Sequence, residues 1–323
     1  STANRLELSN AELQFIAATT LVIGSAAAGN IAFVTADVTP GSNSGANVTT
    51  VSVITGGTIT ATAAGIIETN LALTAGDTIL FTRASTNVTN LAISAASETV
   101  TFTDVNAVDI NTVAGIAGVT ATTFNLNTTG AVSDTAASTI SGVTTIVAGS
   151  GNNVILDVAG NNFGTVAVTS GSIVTLVDSN ALTLGATTAN AALTVTAAGV
   201  LTLSGTITSS TSTIALTSTA DDGGAVTFDQ NGQTITSTAA GLTIRADDMT
   251  LDGTINAAGR TVTLISNTAG DTIDIGSTGT STANRLELSN AELQFIAATT
   301  LVIGSAAAGN IAFVTADLPA GQS

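Results

Sequence analysis

The sequence predicts an all-β protein that folds as a parallel β-helix, or β-solenoid. Apolar–small or polar–apolar triplets recur along the chain, and their starts lie mostly seven to twelve residues apart. Gly, Asn, Asp and Ser cluster between the triplets, where turns must form. Because this spacing persists along the chain with no shift in composition, coils stacked on their neighbours are favoured over a sandwich or an up-and-down barrel.

The composition supports a β-rich fold. Thr, Val and Ile, which fit a pleated and half-buried surface, are abundant, and the chain has only two prolines, Pro40 and Pro319. A hydrophobic content of 44% argues against disorder. The absence of cysteine excludes a disulfide framework and a thiolate metal site.

The alternation within each triplet predicts a short strand with one buried face. Where a triplet contains a charged residue (Glu7, Asp109 or Asp274), that residue takes the middle position, so we expect these carboxylates to face water. The nine phenylalanines are expected in the core, where they fill wider layers between columns of Val, Ile and Leu.

Taken in order, the chain divides at a repeated block. Residues 1–37 begin a β-helical repeat unit, and residues 38–47 ("VTPGSNSGAN") are a loop or a seam between units. Residues 48–280 form the remainder of the unit, and residues 281–323 begin the next copy. With coils of about 20 residues the chain makes about 16 coils. At about 4.8 Å per coil they form a rod on the order of 75 Å long.

Residues 281–317 repeat residues 1–37 letter for letter. Folding alone does not require this identity, because cores tolerate many volume-conserving exchanges. The identity therefore indicates a long tandem repeat of about 280 residues, as in arrays of stacked repeats. No capping element is recognisable at either end of the sequence, so we expect open strand edges.

Three segments resemble repeats of filamentous-haemagglutinin-like exoproteins, the large β-helical adhesins of bacterial two-partner secretion and related giant surface proteins. They read "LSNAELQFIAATTLVIGSAAAGNIAF", "DDMTLDGTINAAGRTVTLISNTAGDTIDIG" and "NNFGTVAVTSGSIVTLVDSNALTLGATT". The resemblance covers most of residues 160–317 and the first block. It implies a right-handed β-helical shaft located outside the cell or on its surface, with any receptor-binding tip outside this segment.

The charge limits the possible partners. The five cations are all arginines and face 22 carboxylates, which gives a net charge of −17. Nucleic acid and anionic membranes are therefore not expected as partners. No apolar run approaches the length of a membrane-spanning helix. The expected partner is the protein itself, through end-to-end continuation of the β-helix, while a host-cell or polysaccharide receptor would bind outside this segment.

No catalytic residue and no cofactor are predicted. The chain has no His, Cys or Lys to act as a general base, and its Asp pairs suit turns better than a catalytic dyad. Calcium is the alternative, since Asp oxygens in turns are hard ligands. The weak Ca²⁺ candidates are Asp221, Asp222, Asp247, Asp248 and Asp252.

The expected function is structural: the shaft of an extracellular fibre or giant surface adhesin built from tandem repeats. A ligand- or glycan-binding β-helical adhesin module is the alternative, although the absence of Trp and Tyr weighs against a carbohydrate platform. An ice-binding solenoid is a lesser alternative, raised by the threonine rows at 58–62 and 234–238. An enzyme acting on polysaccharide is the reading that the sequence favours least.

Overall fold

The computed structural model describes residues 6–34, 37–43, 48–221, 223–277 and 281–314. The chain forms two compact units, residues 1–148 and residues 149–323. Strands account for 53% of the chain and helices for 3%, which confirms the all-β prediction, and the strands of both units stack in parallel as a β-helix requires. Among the described residues, no helix is long and apolar enough to cross a lipid bilayer.

The first unit contains one short helix and thirteen strands among its described residues. They are α1 (Asn10–Leu13), β1 (Thr20–Ser25), β2 (Ile31–Ala32), β3 (Thr50–Thr55), β4 (Ile59–Ala61), β5 (Ile67–Ala75), β6 (Ile79–Phe81), β7 (Asn87–Asp104), β8 (Val108–Ile110), β9 (Thr112–Val113), β10 (Ile116–Ala117), β11 (Val119–Thr128), β12 (Val132–Asp134) and β13 (Thr139–Val147).

Parallel ladders connect successive coils of the first unit. Val51 of β3 pairs with Leu71 of β5, and Leu71 pairs with Leu91 of β7, a step of 20 residues per coil. All three side chains are fully buried. The alternation that predicted the strands therefore also sets which face points into the core.

Aromatic rings form a column inside the first unit. The ring centroids of Phe33 and Phe81 lie 6.0 Å apart, and those of Phe81 and Phe102 lie 5.4 Å apart. The core prediction is confirmed for six phenylalanines, namely Phe33, Phe81, Phe102, Phe124, Phe163 and Phe228. It is wrong for Phe15, Phe295 and Phe313, which are exposed.

A hairpin inserted between β8 and β11 covers part of the outer surface. Strands β9 and β10 are antiparallel, and the turn between them places Ala114 and Gly115 at positive φ. Val113 packs against Ala72 and Ala92, the middle residues of two triplets, which are fully buried although they point away from the core. The sequence predicts an outward, solvated Ala92, and the hairpin overrides that prediction.

The second unit contains eighteen strands and one short helix among its described residues. They are β14 (Val154–Leu156), β15 (Asn162–Ser170), β16 (Val174–Asp178), β17 (Leu182–Leu184), β18 (Thr187–Ala189), β19 (Leu193–Ala197), β20 (Leu201–Leu203), β21 (Ile207–Ser209), β22 (Ile214–Ser218), β23 (Phe228–Asp229), β24 (Ile235–Ser237), β25 (Leu242–Arg245), β26 (Met249–Thr250), β27 (Ile255–Ile265), β28 (Thr272–Ile275), β29 (Arg285–Leu288), α2 (Asn290–Leu293), β30 (Ile296–Ile303) and β31 (Ile311–Phe313).

Three parallel ladders run through the second unit, one for each face of the coil. The first contains β16, β19, β22, β25 and β27. The second contains β17, β20, β23 and β26. The third contains β18, β21, β24 and β27. Each coil therefore has three strands and three turns, which accounts for the close spacing of the triplets.

The last coils of the second unit are not stacked in chain order. β28 pairs with β29 on one side and with β31 on the other, all in parallel. Strand β29, the first strand of the second block, contacts β26 and therefore lies between β26 and β28. β28 thus precedes β29 in the chain, although β29 lies nearer to β26 in the stack of strands.

Candidate functional site

The duplicated block has the same local structure in both copies. Ser9 and Ser289 are N-caps of the four-residue helices α1 and α2, and each forms a capping box with the glutamate three residues later. The Ser9 amide donates to Glu12 Oε2 at 2.7 Å, and the Ser289 amide donates to Glu292 Oε2 at 2.8 Å. This part of the structure depends on neighbouring residues only.

In the first copy, the block is covered along one edge, called here the forward edge because the next coil of the chain lies on it. Strand β1 pairs with β3 from Thr20↔Thr50 to Ser25↔Thr55, and β2 pairs with β4. Phe33 is only 8% exposed because this coil covers it. The forward edge is thus a complete parallel-sheet interface.

The opposite edge of the first copy, the rear edge, has no strand of the described residues on it. Leu6 is 84% exposed and Phe15 is 68% exposed. A groove of about 610 Å³ opens beside Leu6, Leu8 and Leu13. The triplet Leu6-Glu7-Leu8 predicts a strand, but here these residues lack a neighbouring strand and form none.

The second copy has the reverse arrangement. Its rear edge packs on earlier strands of the second unit, where β30 pairs with β27. Residues 286–288, the counterpart of residues 6–8, lie in strand β29. Leu286 and Leu288 are fully buried there. The forward edges of β30 and β31 carry no strand of the described residues, although β28 lies on that side of β29. Phe313 is 67% exposed, and Leu301, Val302 and Ile311 are exposed as well.

Polar contacts accompany the pairing on the forward edge of the first copy. Thr55 Oγ1 donates to the Ala28 carbonyl at 2.9 Å, and the Thr58 amide donates to Asn30 Oδ1 at 3.1 Å. The second copy presents the same two acceptors as Ala308 and Asn310. Its forward edge therefore offers the polar groups as well as the apolar side chains that bind a coil in the first copy.

An acidic cluster of two buried residues and one half-buried residue joins the second copy to earlier strands of the unit. Asp248, Glu287 and Glu292 line a cavity of about 70 Å³. Ser277 Oγ donates to Glu287 Oε1 at 2.9 Å, and the Leu251 amide donates to Glu292 Oε1 at 3.1 Å. These bonds attach the second block to the preceding coil of the unit.

One charged residue of this region departs from the sequence prediction. Asp274, expected to face water, is buried, and so is Glu287, its register partner on the neighbouring strand. Arg285 forms an ion pair with Asp274. The insertion of β29 beside β28 brings these three side chains together, which no local pattern could indicate.

The calcium candidates are dispersed over separate turns. Asp247 accepts hydrogen bonds from the Thr268 amide and hydroxyl at 2.6 and 2.7 Å, and Asp248 accepts one from the Met249 amide at 2.9 Å. Asp252 accepts from the Gly232 amide at 2.6 Å, and Asp221 accepts from the Gly223 amide at 3.3 Å.

Asp222 lies outside the described residues. Within the described ranges, no group of three His, Cys, Asp or Glu side chains is placed to hold a metal ion. Calcium binding stays a prediction.

The threonine rows at 58–62 and 234–238, which suggested the ice-binding alternative, do not continue as a regular array on the neighbouring strands. Thr60 pairs with Ala32 on one side and with Leu80 on the other. Thr236 pairs with Thr208 and then with Asn256. The threonine column through Thr236 therefore stops at Asn256, and the register partners of Thr60 on both neighbouring strands are apolar.

Two buried aspartates close corners of the β-helix and were not recognised from the sequence. Asp104, at the end of β7, accepts hydrogen bonds from the amides of Val88 and Asn106, both at 2.9 Å. Asp178, at the end of β16, accepts from the amides of Phe163 at 2.6 Å and Asn180 at 2.9 Å. Burial raises the pKa of Asp104 to about 6 and also raises the pKa of Asp178. An Asp-x-Asn sequence that begins two residues after the end of a triplet is the signal that could have identified them.

No protein family model matches the chain, and neither a curated protein nor a solved structure shows significant similarity to it. The geometry of the duplicated block is therefore the main guide to function.

Proposed function

We propose that the chain is a structural shaft segment of an extracellular fibre or giant surface adhesin, built from tandem β-helical repeats of about 280 residues. The resemblance of its repeats to filamentous-haemagglutinin-like exoproteins supports the location outside the cell. The acidic, threonine-rich exterior suits a shaft, because net charge far from zero keeps molecules from associating laterally.

One observation carries this proposal. The second block continues the β-helix in register on the coil before it, through the pairing of β30 with β27. Its forward edge has the sequence that, in the first block, pairs with β3. A block that can be covered on both edges is what a tandem array needs at the point where one repeat passes into the next.

A glycan-binding module is the alternative. The groove beside Leu6 and Leu8 gives the glycan-binding alternative little support, because apolar side chains of the β-helix interior line most of the groove. In the second copy the corresponding leucines are covered by the chain's own coils. The groove is therefore better explained as core surface of the β-helix than as a glycan site.

Cell-surface imaging tests the proposed function. Fab fragments raised against the chain should label thin surface fibres on intact cells of the source organism. Image averages of these fibres should give an axial repeat of about 65–70 Å, the height of about 14 coils. Labelling confined to the cell interior, or surface structures without this repeat, would contradict the proposal.

A further inference from the structure

Negative charge is concentrated where β29 meets β26 and β28. The carboxylates of Asp248, Asp274 and Glu287 are all more than nine-tenths buried. Asp248 and Glu287 line the cavity of about 70 Å³ together with the half-buried Glu292. Burying an ionised carboxylate is costly unless a cation or hydrogen bonds compensate for the lost water, so each of these groups needs a partner.

The arginine of this region is already in use. Arg285 forms an ion pair with Asp274, which is the register partner of Glu287 on the neighbouring strand. Glu287 itself forms no ion pair with any residue that the structure describes. Its negative charge therefore adds to that of Asp248 at the cavity without a cation from the chain to balance it.

One oxygen of Glu287 is satisfied by the chain and the other is not. Ser277 Oγ donates to Glu287 Oε1 at 2.9 Å. Oε2 is buried and has no hydrogen-bond partner among the described residues. Buried polar atoms in native proteins nearly always have a partner, so Oε2 requires one from solution.

The cavity has the size and the oxygen atoms that a small cation needs. Its volume of about 70 Å³ is several times the roughly 10–15 Å³ that one water requires. Thr250 and Ser281 line it beside the carboxylates. Carboxylate and hydroxyl oxygens are hard ligands, the kind that Ca²⁺ and Mg²⁺ accept.

We propose that a partly hydrated divalent cation, Ca²⁺ or Mg²⁺, binds in this cavity with Glu287 Oε2 and the Asp248 carboxylate as its protein ligands. Within the described ranges no three His, Cys, Asp or Glu side chains are placed to hold a metal ion by themselves, so water supplies the remaining ligands. The site differs from the one predicted from the sequence. Of the five candidates only Asp248 takes part, and Glu287 was not among them.

The cation joins the second block to the coil before it. Asp248 immediately precedes β26, whereas Glu287 lies in β29. A ligand that binds only the folded state shifts the unfolding equilibrium, so the cation should stabilise the second unit. In the tandem array of the proposed function the site would recur wherever one repeat passes into the next. That recurrence rests on the proposed function, while the binding of a cation by this chain does not.

Isothermal titration calorimetry tests the binding on the full chain after dialysis against EDTA. CaCl₂ and MgCl₂ are titrated separately in about 150 mM KCl, which screens diffuse attraction to the net charge of −17. We expect one saturable site per chain for at least one of the two cations. Glu287→Gln keeps the size of the side chain and removes its charge, so it should weaken the affinity by at least about tenfold.

The matched control is Glu7→Gln, the same substitution at the counterpart of Glu287 in the first copy. Glu7 is exposed, so this variant should bind the cation as the unchanged chain does. Equal binding by all three proteins would show that the cations are attracted only diffusely and would overturn the proposal. The absence of saturable binding for both cations would also overturn it.

A second pair of aspartate variants locates the ion independently of Glu287. Asp248→Asn should weaken binding several-fold, whereas Asp252→Asn should leave it unchanged, because Asp252 accepts a hydrogen bond from the Gly232 amide in a separate turn. Far-UV circular dichroism checks that each variant is folded. Loss of binding in Asp252→Asn with normal binding in Asp248→Asn would place the ion elsewhere and overturn the proposal.

Urea denaturation separates cation binding from a merely structural role of Glu287. Saturating cation should raise the denaturation midpoint of the unchanged chain and of Glu7→Gln, but not that of Glu287→Gln. Without cation, Glu287→Gln should be at least as stable as the unchanged chain, because it removes a buried charge. A Glu287→Gln variant that is less stable without cation, together with no effect of cation on either protein, would overturn the proposal.

The two proposals can fail separately. Saturable binding by a protein that forms no surface fibres would leave this inference standing and remove the proposed function. Surface fibres with the expected axial repeat, formed by a chain without saturable cation binding, would have the opposite meaning.

Discussion

The two copies of the repeated block differ in burial although they do not differ in sequence. Leu6 is 84% exposed and Leu286 is fully buried, while Phe33 is nearly buried and Phe313 is largely exposed. Strand β1 of the first copy pairs through its forward edge, whereas its counterpart β30 pairs through its rear edge, and β29 of the second copy lies between β26 and β28. The comparison shows that the neighbouring coil determines which residues of a strand are buried in this β-helix. The strand's own pattern determines only which of its faces can be buried.

The phenylalanine pair should give the largest difference between the copies. Phe33→Ala should lower the free energy of unfolding of the first unit by about 3–5 kcal/mol, because it removes a buried ring from the column with Phe81. Phe313→Ala should cost the second unit less than about 1 kcal/mol, because the ring is mostly in water. Urea denaturation of dilute protein measures both, and equal losses would contradict the assignment of covered edges.

The leucine pair should show the opposite asymmetry with a somewhat smaller effect. Leu286→Ala should cost about 2–5 kcal/mol in the second unit, because it leaves a cavity between β29 and the adjoining strands. Leu6→Ala should change stability by less than about 0.5 kcal/mol, because its side chain is exposed. Thermal unfolding monitored by circular dichroism checks this pair. A large loss for Leu6→Ala would mean that the rear edge of the first block is covered in solution.

Asp104, the buried corner aspartate of the first unit, and Asp37, which belongs to the duplicated block, should change the stability of the protein with pH in opposite directions. The pKa of Asp104 is raised to about 6 by burial, so its contribution to stability is full below its ordinary pKa of 3.8 and is lost as pH rises through about 6. The loss should be about 3 kcal/mol at most, since one pKa unit corresponds to about 1.4 kcal/mol. Asp104→Asn should remove this decline in denaturation midpoints measured between pH 4 and pH 8.

Asp37 provides the internal contrast. Hydrogen bonds from the Ser85 hydroxyl and the Gly65 amide, with Arg83 nearby, lower the pKa of its carboxyl group. Its contribution is therefore present above the ordinary pKa of an aspartate and is lost as pH falls through the lowered value. Ser85→Ala should reduce this acid sensitivity, and unchanged acid midpoints would contradict the role given to the hydroxyl group.

The capping serines should give the smallest effect, and the only one that is the same in both copies. Ser9→Ala and Ser289→Ala each remove an N-cap acceptor and should each cost about 1 kcal/mol of local stability. Amide hydrogen exchange at Glu12 and Glu292 measures the local cost. Clearly unequal changes would show that the surroundings, in addition to the cap, determine the stability of this turn.

Much of the fold follows from local patterns. Triplets such as Val174-Thr-Leu and Leu193-Thr-Val become strands whose outer residues are buried, because alternation with period two fixes the faces of any strand. The candidate site was less predictable. The sequence reveals the duplication of the block but does not indicate which edge of each copy is covered, because that depends on coils distant in sequence.

Three features were decided by the tertiary structure alone. The β9–β10 hairpin buries Ala72 and Ala92 on a face that the pattern assigns to water. Strand β29 enters between β26 and β28, and Asp274 is buried as a result and forms an ion pair with the partly exposed Arg285. The amino-acid sequence by itself determined which segments can form strands, their inward faces and the capping boxes, since these depend on residues within one or two turns of each other. The tertiary structure decided which edges and outer faces are covered, because burial of apolar surface requires a second segment of chain, and identical residues can be given different neighbours.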